Sequence, residues 1–302
     1  MTGTTSIISS DTAGILAEAE AMANKDGSTL SSLAILRRLP LSEFGAFFIR
    51  LPDPAFPALS RILPSMASDE VQRHWTGAHG MTLLSQTLSF VKIVDAMYRL
   101  LNGRDLTDAR VLDFGCGYGR IIRLMYHFTE PHKIYGVDPF QPSLELCRKC
   151  GMPGNFYLSD PLPDSFPFSV GDFDLIYAFS VYTHLSMKAT RKTLQTLRKY
   201  ISDRGVLVIT IRPVEFWPIL AGQDGSHELV AVRQQMHRSD GFVFVPQEED
   251  GKAESEITYG NTSISLQWLE DEIPEWKVRA HVLSPDDPMQ IIVFLSPVLD
   301  II

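Results

Sequence analysis

The sequence predicts an α/β fold: a doubly wound, mostly parallel sheet of seven strands, preceded by a helical N-terminal cap. From residue 110 onward, short apolar runs alternate with segments of helical spacing, which is typical of βαβ units in a sheet covered on both faces. The last two apolar runs are joined only by the four residues PDDP. That link is too short for a parallel crossover, so the last strand is expected to be antiparallel.

The apolar runs place each element in order. Strands are expected at 110–115, 133–138, 155–160, 173–181, 205–211, 276–284 and 289–296, and helices at 119–128, 142–150, 188–202 and 264–272. The segment 214–262 has no clear period except for a hairpin formed by 241–246 and 256–260. We expect this insert to overhang the ligand-binding edge of the sheet and to form a substrate lid together with the N-terminal helices.

The chain divides into a mostly helical leader, 1–104, and a ligand-binding domain, 105–302. Residues 81–101 carry apolar side chains at helical spacing and predict one amphipathic helix. Short apolar helical segments broken by prolines are expected over 30–65. Residues 1–30 show weak periodicity, so a frayed start is expected.

Composition excludes several classes of function. The net charge of −9 argues against a binder of nucleic-acid backbones, which needs clustered Lys and Arg. No apolar run is long enough to span a membrane, and no signal peptide is evident. Three cysteines give no disulfide framework, so a cytoplasmic location is expected. Cys147 and Cys150 form a single C-x-x-C motif, which supplies only two of the four ligands that a zinc site needs, so no metal site is predicted. The oligomeric state is left open.

A glycine-rich stretch, VLDFGCGYGR at 111–120, ends the first predicted strand and opens a helix. Residues without side chains let a ligand lie against the backbone near the positive end of that helix. Asp138 ends the second strand, where a carboxylate can accept hydrogen bonds from both ribose hydroxyls of an adenosine. Nicotinamide and S-adenosylmethionine sites both use this device, so Asp138 indicates adenosine without choosing between them.

Asp113 favours S-adenosylmethionine over a dinucleotide. The glycines follow a G-x-G-x-G order, and Asp113 places a carboxylate at the strand end, where it would repel a pyrophosphate. S-adenosylmethionine carries an ammonium and a sulfonium. The attraction of a unit charge pair is roughly 4 kcal/mol at about 4 Å with an effective dielectric constant of about 20, enough to set ligand choice.

Three stretches resemble the class I S-adenosylmethionine-dependent methyltransferases. VLDFGCGYGR resembles their first motif, IYGVDPF at 134–140 resembles the second, and FDLIYAFSVYTHLS at 173–186 resembles the end of strand four in bacterial small-molecule methyltransferases. The resemblance covers 105–213 well and 263–302 loosely. It implies a Rossmann-like methyltransferase fold, with S-adenosyl-L-methionine as cofactor and S-adenosyl-L-homocysteine as product.

The resemblance also implies which residues contact the cofactor. These are Asp113, Gly115, Cys116 and Gly117 at the methionine part, Asp138, Pro139 and Phe140 at the ribose and adenine, Asp160 at the adenine amino group, Phe179 and Ser180 beside the cofactor, and Trp75 in a segment that closes over the methionine end.

Methyl transfer asks the protein mainly to position an acceptor and, where needed, to remove its proton. His184 and Tyr182 are the candidate catalytic residues because they follow strand four at the ligand-binding edge. His184 could equally anchor its loop, and Tyr182 could be a packing residue. The predicted activity is O- or N-methylation of a small molecule, without nucleic-acid or membrane partners. The alternatives are a protein methyltransferase and a cofactor-binding module without turnover.

Overall fold

The computed structural model describes residues 10–247 and 257–299 and contains a sheet of seven strands plus a separate hairpin. The strands are β1 (Val111–Phe114), β2 (Ile134–Asp138), β3 (Asn155–Leu158), β4 (Phe173–Ala178), β5 (Ile201–Ile211), β6 (Phe242–Pro246), β7 (Gly260–Ile264), β8 (Trp276–Leu283) and β9 (Ile291–Pro297). The sheet order is β3-β2-β1-β4-β5-β9-β8, and β6 pairs with β7 in the hairpin. The predicted fold class is confirmed.

The helices cover both faces of this sheet. They are α1 (Ser10–Asp26), α2 (Thr29–Leu36), α3 (Leu41–Phe48), α4 (Pro57–Ile62), α5 (Asp69–Thr76), α6 (Gly80–Asn102), α7 (Arg120–Met125), α8 (Gln141–Lys149), α9 (Met187–Tyr200), α10 (Phe216–Asp224), α11 (Val230–Asp240) and α12 (Leu266–Glu272).

The central strands are parallel, and the closing strand runs against them. β1 lies between β2 and β4 and is parallel to both, while β9 is antiparallel to β5 and to β8. Each of the four residues of β1 is buried, as expected for a strand covered on both faces. The carboxyl ends of β1, β2, β4 and β5 therefore share one edge of the sheet, and this edge holds the candidate site.

Two cores lie on opposite faces of the sheet. One joins α1–α4 and α6–α8 to the sheet and includes Phe44, Phe90 and Ile122. The other lies under α9 and α12 and includes Leu197 and Trp268. Because the N-terminal helices and α7 share one continuous core, the leader is packed into the molecule. The boundary between 1–104 and 105–302 stays a prediction.

From Ser10 onward the N-terminal segment is more regular than the sequence predicted. There α1 buries Leu16, Ala19 and Ala23 against α2 and α4, whereas the first nine residues of the expected frayed start lie outside the described residues. These residues have helical spacing, but alanine contributes little to a hydrophobic pattern. The amphipathic signal of α1 was therefore weak, although its face is fully packed.

The insert 214–262 also contains more regular structure than its pattern indicated. It holds α10 and α11, and its hairpin pairs β6 with β7 at 260–264 instead of the expected 256–260, of which residue 256 lies outside the described residues. The inner face of β7 is polar: Ser263 accepts hydrogen bonds from Trp217 Nε1 at 2.9 Å and lies 2.8 Å from His237 Nδ1. A polar buried strand gives no hydrophobic alternation, which explains the error.

Across the described residues, no helix combines the length and the apolar character that crossing a membrane requires.

The contact of α6 with the site gives a first prediction. Phe90 is 1% exposed and packs edge-to-face on Phe179 with ring centroids 4.7 Å apart. We expect Phe90→Ala to lower the free energy of unfolding by about 3–5 kcal/mol, because it removes a buried ring and leaves a cavity. Urea denaturation measures this loss. The control is Leu100→Ala on the same helix, where the side chain is 75% exposed and the expected change is below about 0.5 kcal/mol. Equal effects of the two substitutions would contradict the packing described here.

Candidate active site

A cleft of about 170 Å³ opens at the carboxyl ends of β1 and β4. It is lined by Trp75, Thr76, Asp113, Gly115, Cys116, Gly117, Tyr118, Arg120, Ile121, Phe179, Ser180, His184 and Tyr259. The cleft therefore brings together eight of the residues predicted from the sequence. Its walls come from the glycine turn, the start of α7, the end of α5, the segment after β4 and the insert.

The glycine turn is folded against β2. The backbone N–H groups of Gly115 and Cys116 both donate to the carbonyl oxygen of Val137, at 2.8 and 3.1 Å. Gly115 has φ +79°, and a Cβ there would lie 2.5 Å from Cγ2 of Val181, so no larger residue fits. Gly117 has φ +53° and nothing within 4 Å of the position its Cβ would take. The turn is thus packed on one side and open toward the cleft on the other.

Asp138 is held by the same turn. Its Oδ2 accepts a hydrogen bond from the Gly117 N–H and its Oδ1 accepts one from the Phe140 N–H, both at 2.9 Å. Burial raises the pKa of this carboxyl, whereas the two backbone N–H groups oppose the rise. Each oxygen keeps acceptor capacity for a further donor. This donor-fixed carboxylate fits a pair of ribose hydroxyls.

Asp113 is a buried acid at the floor of the cleft. Asp113 is 2% exposed. Burial, together with the charge of Asp138, raises the pKa of its carboxyl to about 8, although the Tyr177 hydroxyl and the charge of Arg120 act to lower it. This pKa already includes the effect of Arg120, so the carboxyl is mostly protonated at neutral pH until a ligand brings a further positive charge close to it. Asp113 thus fits a ligand that brings a positive charge, as S-adenosylmethionine does.

Arg120 is a cation beside that acid. Its guanidinium lies 4.8 Å above the Phe179 ring and donates through Nη1 to Oε1 of Gln86 at 3.0 Å. Burial lowers its pKa, against the charges of Asp113 and Asp287. Among residues 10–247 and 257–299, no carboxylate forms an ion pair with Arg120. The cleft therefore presents an acidic and a basic group side by side.

His184 uses both ring nitrogens in contacts with the protein. Its Nδ1 lies 2.8 Å from the carbonyl oxygen of Gly260, to which only an N–H can donate, so Nε2 accepts from Nη2 of Arg212 at 3.2 Å. The ring also stacks on Tyr259 at 4.9 Å. Burial, and then the Arg212 charge, lower its pKa to about 4. These contacts support the loop-anchor interpretation. They do not support a role as general base, because the ring nitrogen of a general base would have to face the substrate group from which it removes the proton.

Tyr182 lies in the core and not in the cleft. It is fully buried, its hydroxyl lies 3.3 Å from Oγ1 of Thr193 on α9, and burial raises its pKa. This placement corresponds to the packing interpretation and gives no support to the predicted catalytic role.

The other predicted residues lie around the cleft. Phe140 is exposed and its ring lies 5.9 Å from that of Trp75, so the two rings form an aromatic edge; the adjacent Pro139 is exposed as well. Ser180 has φ +59°, an uncommon conformation for a residue other than glycine, and turns the chain sharply after β4. Asp160 is exposed, does not line the cleft and lies beyond the end of β3, so its role at the adenine stays a prediction.

Sequence reasoning missed Arg120, Arg212 and Tyr259. A usable signal existed for the two arginines, since each directly follows a motif or strand that ends at the ligand-binding edge. Tyr259 carried no such signal. It reaches the cleft because the insert folds back and forms a β-bridge with Leu185, a contact distant in sequence.

Comparison with known proteins supports a transferase. A family model described as a methyltransferase domain matches residues 111–205. No curated protein sequence matches the chain significantly.

Solved structures similar to this chain include several methyltransferases. An S-adenosylmethionine-dependent methyltransferase from Mesorhizobium loti is 16% identical (TM-score 0.47; 67% of this chain and 96% of that chain covered). Another, from Clostridium acetobutylicum, is 11% identical, with a TM-score of 0.48 and with 76% of this chain and 96% of that chain covered. PKMT2 from Rickettsia typhi, in complex with AdoHcy, is 15% identical, with a TM-score of 0.45 and with 66% of this chain and 51% of that chain covered. At these identities and TM-scores the solved structures carry no argument about the function of this chain, and the match to the methyltransferase domain covers residues 111–205.

The anchor role of His184 predicts a pH dependence of stability. Its pKa is about 4 in the folded protein and 6.5 for an ordinary histidine, so the unfolded chain binds the proton first. The contribution to stability is therefore complete above pH 6.5 and is lost as the pH falls toward 4, by up to about 3 kcal/mol. Urea denaturation of the wild type and of His184→Gln between pH 8 and 4.5 checks this. The variant should lose less stability over that range, and parallel curves would contradict the anchor.

Proposed function

We propose that this chain, whose residues 111–205 match a methyltransferase domain, is a class I S-adenosylmethionine-dependent methyltransferase that moves the methyl group to a nucleophilic oxygen or nitrogen of a small molecule. The observation that carries the proposal is a cleft lined on one side by the glycine turn and the buried acid Asp113, and on the other by the polar residues Ser180, His184 and Tyr259. Asp138 does not line this cleft but is fixed beside it, at the end of β2, by the N–H of Gly117.

In this proposal Asp138 holds the ribose, and Asp113 faces the ammonium of the methionine part. Arg120, which lines the cleft with Asp113 and forms no ion pair within the described part of the chain, faces the methionine carboxylate. The bound cofactor supplies an already activated methyl group. The chain itself binds the cofactor and orients the acceptor, which is the main requirement of a reaction whose methyl group is already activated.

The acceptor lies, in our proposal, on the far side of the methionine part, toward Ser180, His184 and Tyr259. The concave shape supports a small molecule, because Trp75 and Thr76 of α5 and Tyr259 of the insert all line the same cleft. A protein acceptor would require an open groove along the insert. The insert and the leader are thus the segments that determine acceptor choice.

Transfer assays separate these possibilities. The protein is incubated with methyl-labelled S-adenosylmethionine and either a panel of small hydroxyl and amine compounds or a panel of folded proteins. Formation of S-adenosylhomocysteine with small compounds alone supports the proposal. Label in the proteins alone would favour the protein methyltransferase, and cofactor binding with no product from either panel would favour a binding module without turnover.

Cofactor binding should release a proton through Asp113. In the ligand-free protein this carboxyl has a pKa of about 8, so it is mostly protonated at pH 7, and a cationic ligand lowers that pKa. We expect calorimetric titration with S-adenosylmethionine at pH 7, in buffers of different ionisation enthalpy, to show release of close to one proton.

Asp113→Asn should abolish this proton release and weaken binding by about 10- to 100-fold, because it removes a hydrogen bond or contact to a charged group worth about 1.5–3 kcal/mol. The control Asp105→Asn changes an exposed carboxylate before the opposite end of β1 and should bind like the wild type. Proton release that persists in Asp113→Asn would refute the assignment of the ammonium to this residue.

A further inference from the structure

We propose that the acceptor is an anion, and that Arg212 binds its carboxylate or phosphate group. This inference rests on the proposed function and names the substrate class of the same site. It starts from Arg212, an arginine at the carboxyl end of β5 to which the proposed binding of the cofactor assigns no contact.

Arg212 is fixed in place by groups that carry no charge. Nη1 donates to the carbonyl oxygen of Thr183 and to Oδ1 of Asn261, both at 2.8 Å, and Nη2 donates to His184. The guanidinium lies 4.0 Å above the ring of Phe216. Contacts from β4, β5 and the insert thus hold the cation rigidly, which is what recognition of a planar or tetrahedral anion requires.

Within residues 10–247 and 257–299, the charge of Arg212 has no direct partner of opposite charge. None of the carboxylates in the described residues forms an ion pair with it. The acidic groups that interact electrostatically with Arg212 are the Tyr259 hydroxyl and Asp287. The two oxygens of Asp287 accept hydrogen bonds from the Met289 N–H and from Nε2 of Gln290 and so hold their own turn. Because a partly buried cation without a paired anion is costly, a ligand anion would complete the site.

The position of Arg212 in the sheet assigns this anion to the acceptor. The glycine turn and Asp138 place the cofactor at the ends of β1 and β2, whereas Arg212 follows β5, two strands beyond β1. Two strand spacings are about 10 Å. The cofactor carboxylate already has Arg120 near Asp113. Arg212 does not itself line the cleft but contacts His184, which does and which stacks on Tyr259. Tyr259 is 52% exposed, which leaves an entry on that side.

Calorimetric titration of the protein loaded with S-adenosylhomocysteine tests this inference. The probes are benzoate and phenyl phosphate, with benzamide as the neutral analogue of benzoate. We expect at least one anion to bind, and benzamide to bind at least about 10-fold more weakly than benzoate. Arg212→Gln should weaken anion binding by about 10- to 100-fold without changing the affinity for S-adenosylhomocysteine, and Arg212→Lys should be intermediate.

The control is Arg204→Gln, at the opposite end of β5, where the side chain is exposed; it should match the wild type. Thermal unfolding checks each variant. If Arg212→Gln does not fold, Arg212→Lys and the wild-type ratio of benzoate to benzamide decide. The inference is overturned if benzamide binds with the same affinity as the anions, or if neither anion binds. It is also overturned if Arg212→Gln lowers the affinity for S-adenosylhomocysteine and leaves the affinity for the anions unchanged. Failure of the wild type to bind S-adenosylhomocysteine would refute the proposed function itself.

Discussion

The geometry of the cleft depends on the attachment of the glycine turn to the end of β2. Asp138 accepts the Gly117 N–H, and the Val137 carbonyl accepts two more N–H groups from the same turn. These contacts turn the backbone sharply after β1, so that Asp113 stays at the floor while Gly117 faces the ligand. Asp138 organises the turn and keeps further acceptor capacity on both oxygens. In the proposed function, the same carboxylate therefore fixes the shape of the site and binds the ribose.

Much of this arrangement could be predicted from the sequence, because it depends on local patterns. The apolar runs gave the order of the strands, and the short PDDP link fixed the antiparallel direction of β9. The positions of Asp113 in β1 and of Asp138 at the end of β2 also followed from the apolar runs, whereas the roles of the two residues toward the cofactor stay predictions. Such signals work because the carboxyl ends of parallel strands meet at one edge, whatever the rest of the chain does.

The insert could not be predicted in the same way, because its structure depends on contacts distant in sequence. When only its neighbours in the chain are considered, His184 is a candidate general base. The structure surrounds it with Gly260, Arg212 and Tyr259, two of which come from the insert. A polar strand such as β7, whose Ser263 is bonded to buried Trp217 and His237, likewise carries no hydrophobic pattern. Polar groups satisfied over long sequence distances are invisible to periodicity.

His184 and Arg212 therefore make sense only as a pair. The neutral imidazole accepts from the guanidinium, which requires the lowered pKa that burial and the arginine together produce. Protonation would place two cations within hydrogen-bonding distance, so the imidazole stays neutral and the arginine keeps the local positive charge. The neutral imidazole thus helps to hold the guanidinium of Arg212 in place through its hydrogen bond. This division of labour suits a reaction whose leaving group is already activated, because the acceptor needs orientation more than it needs a strong base.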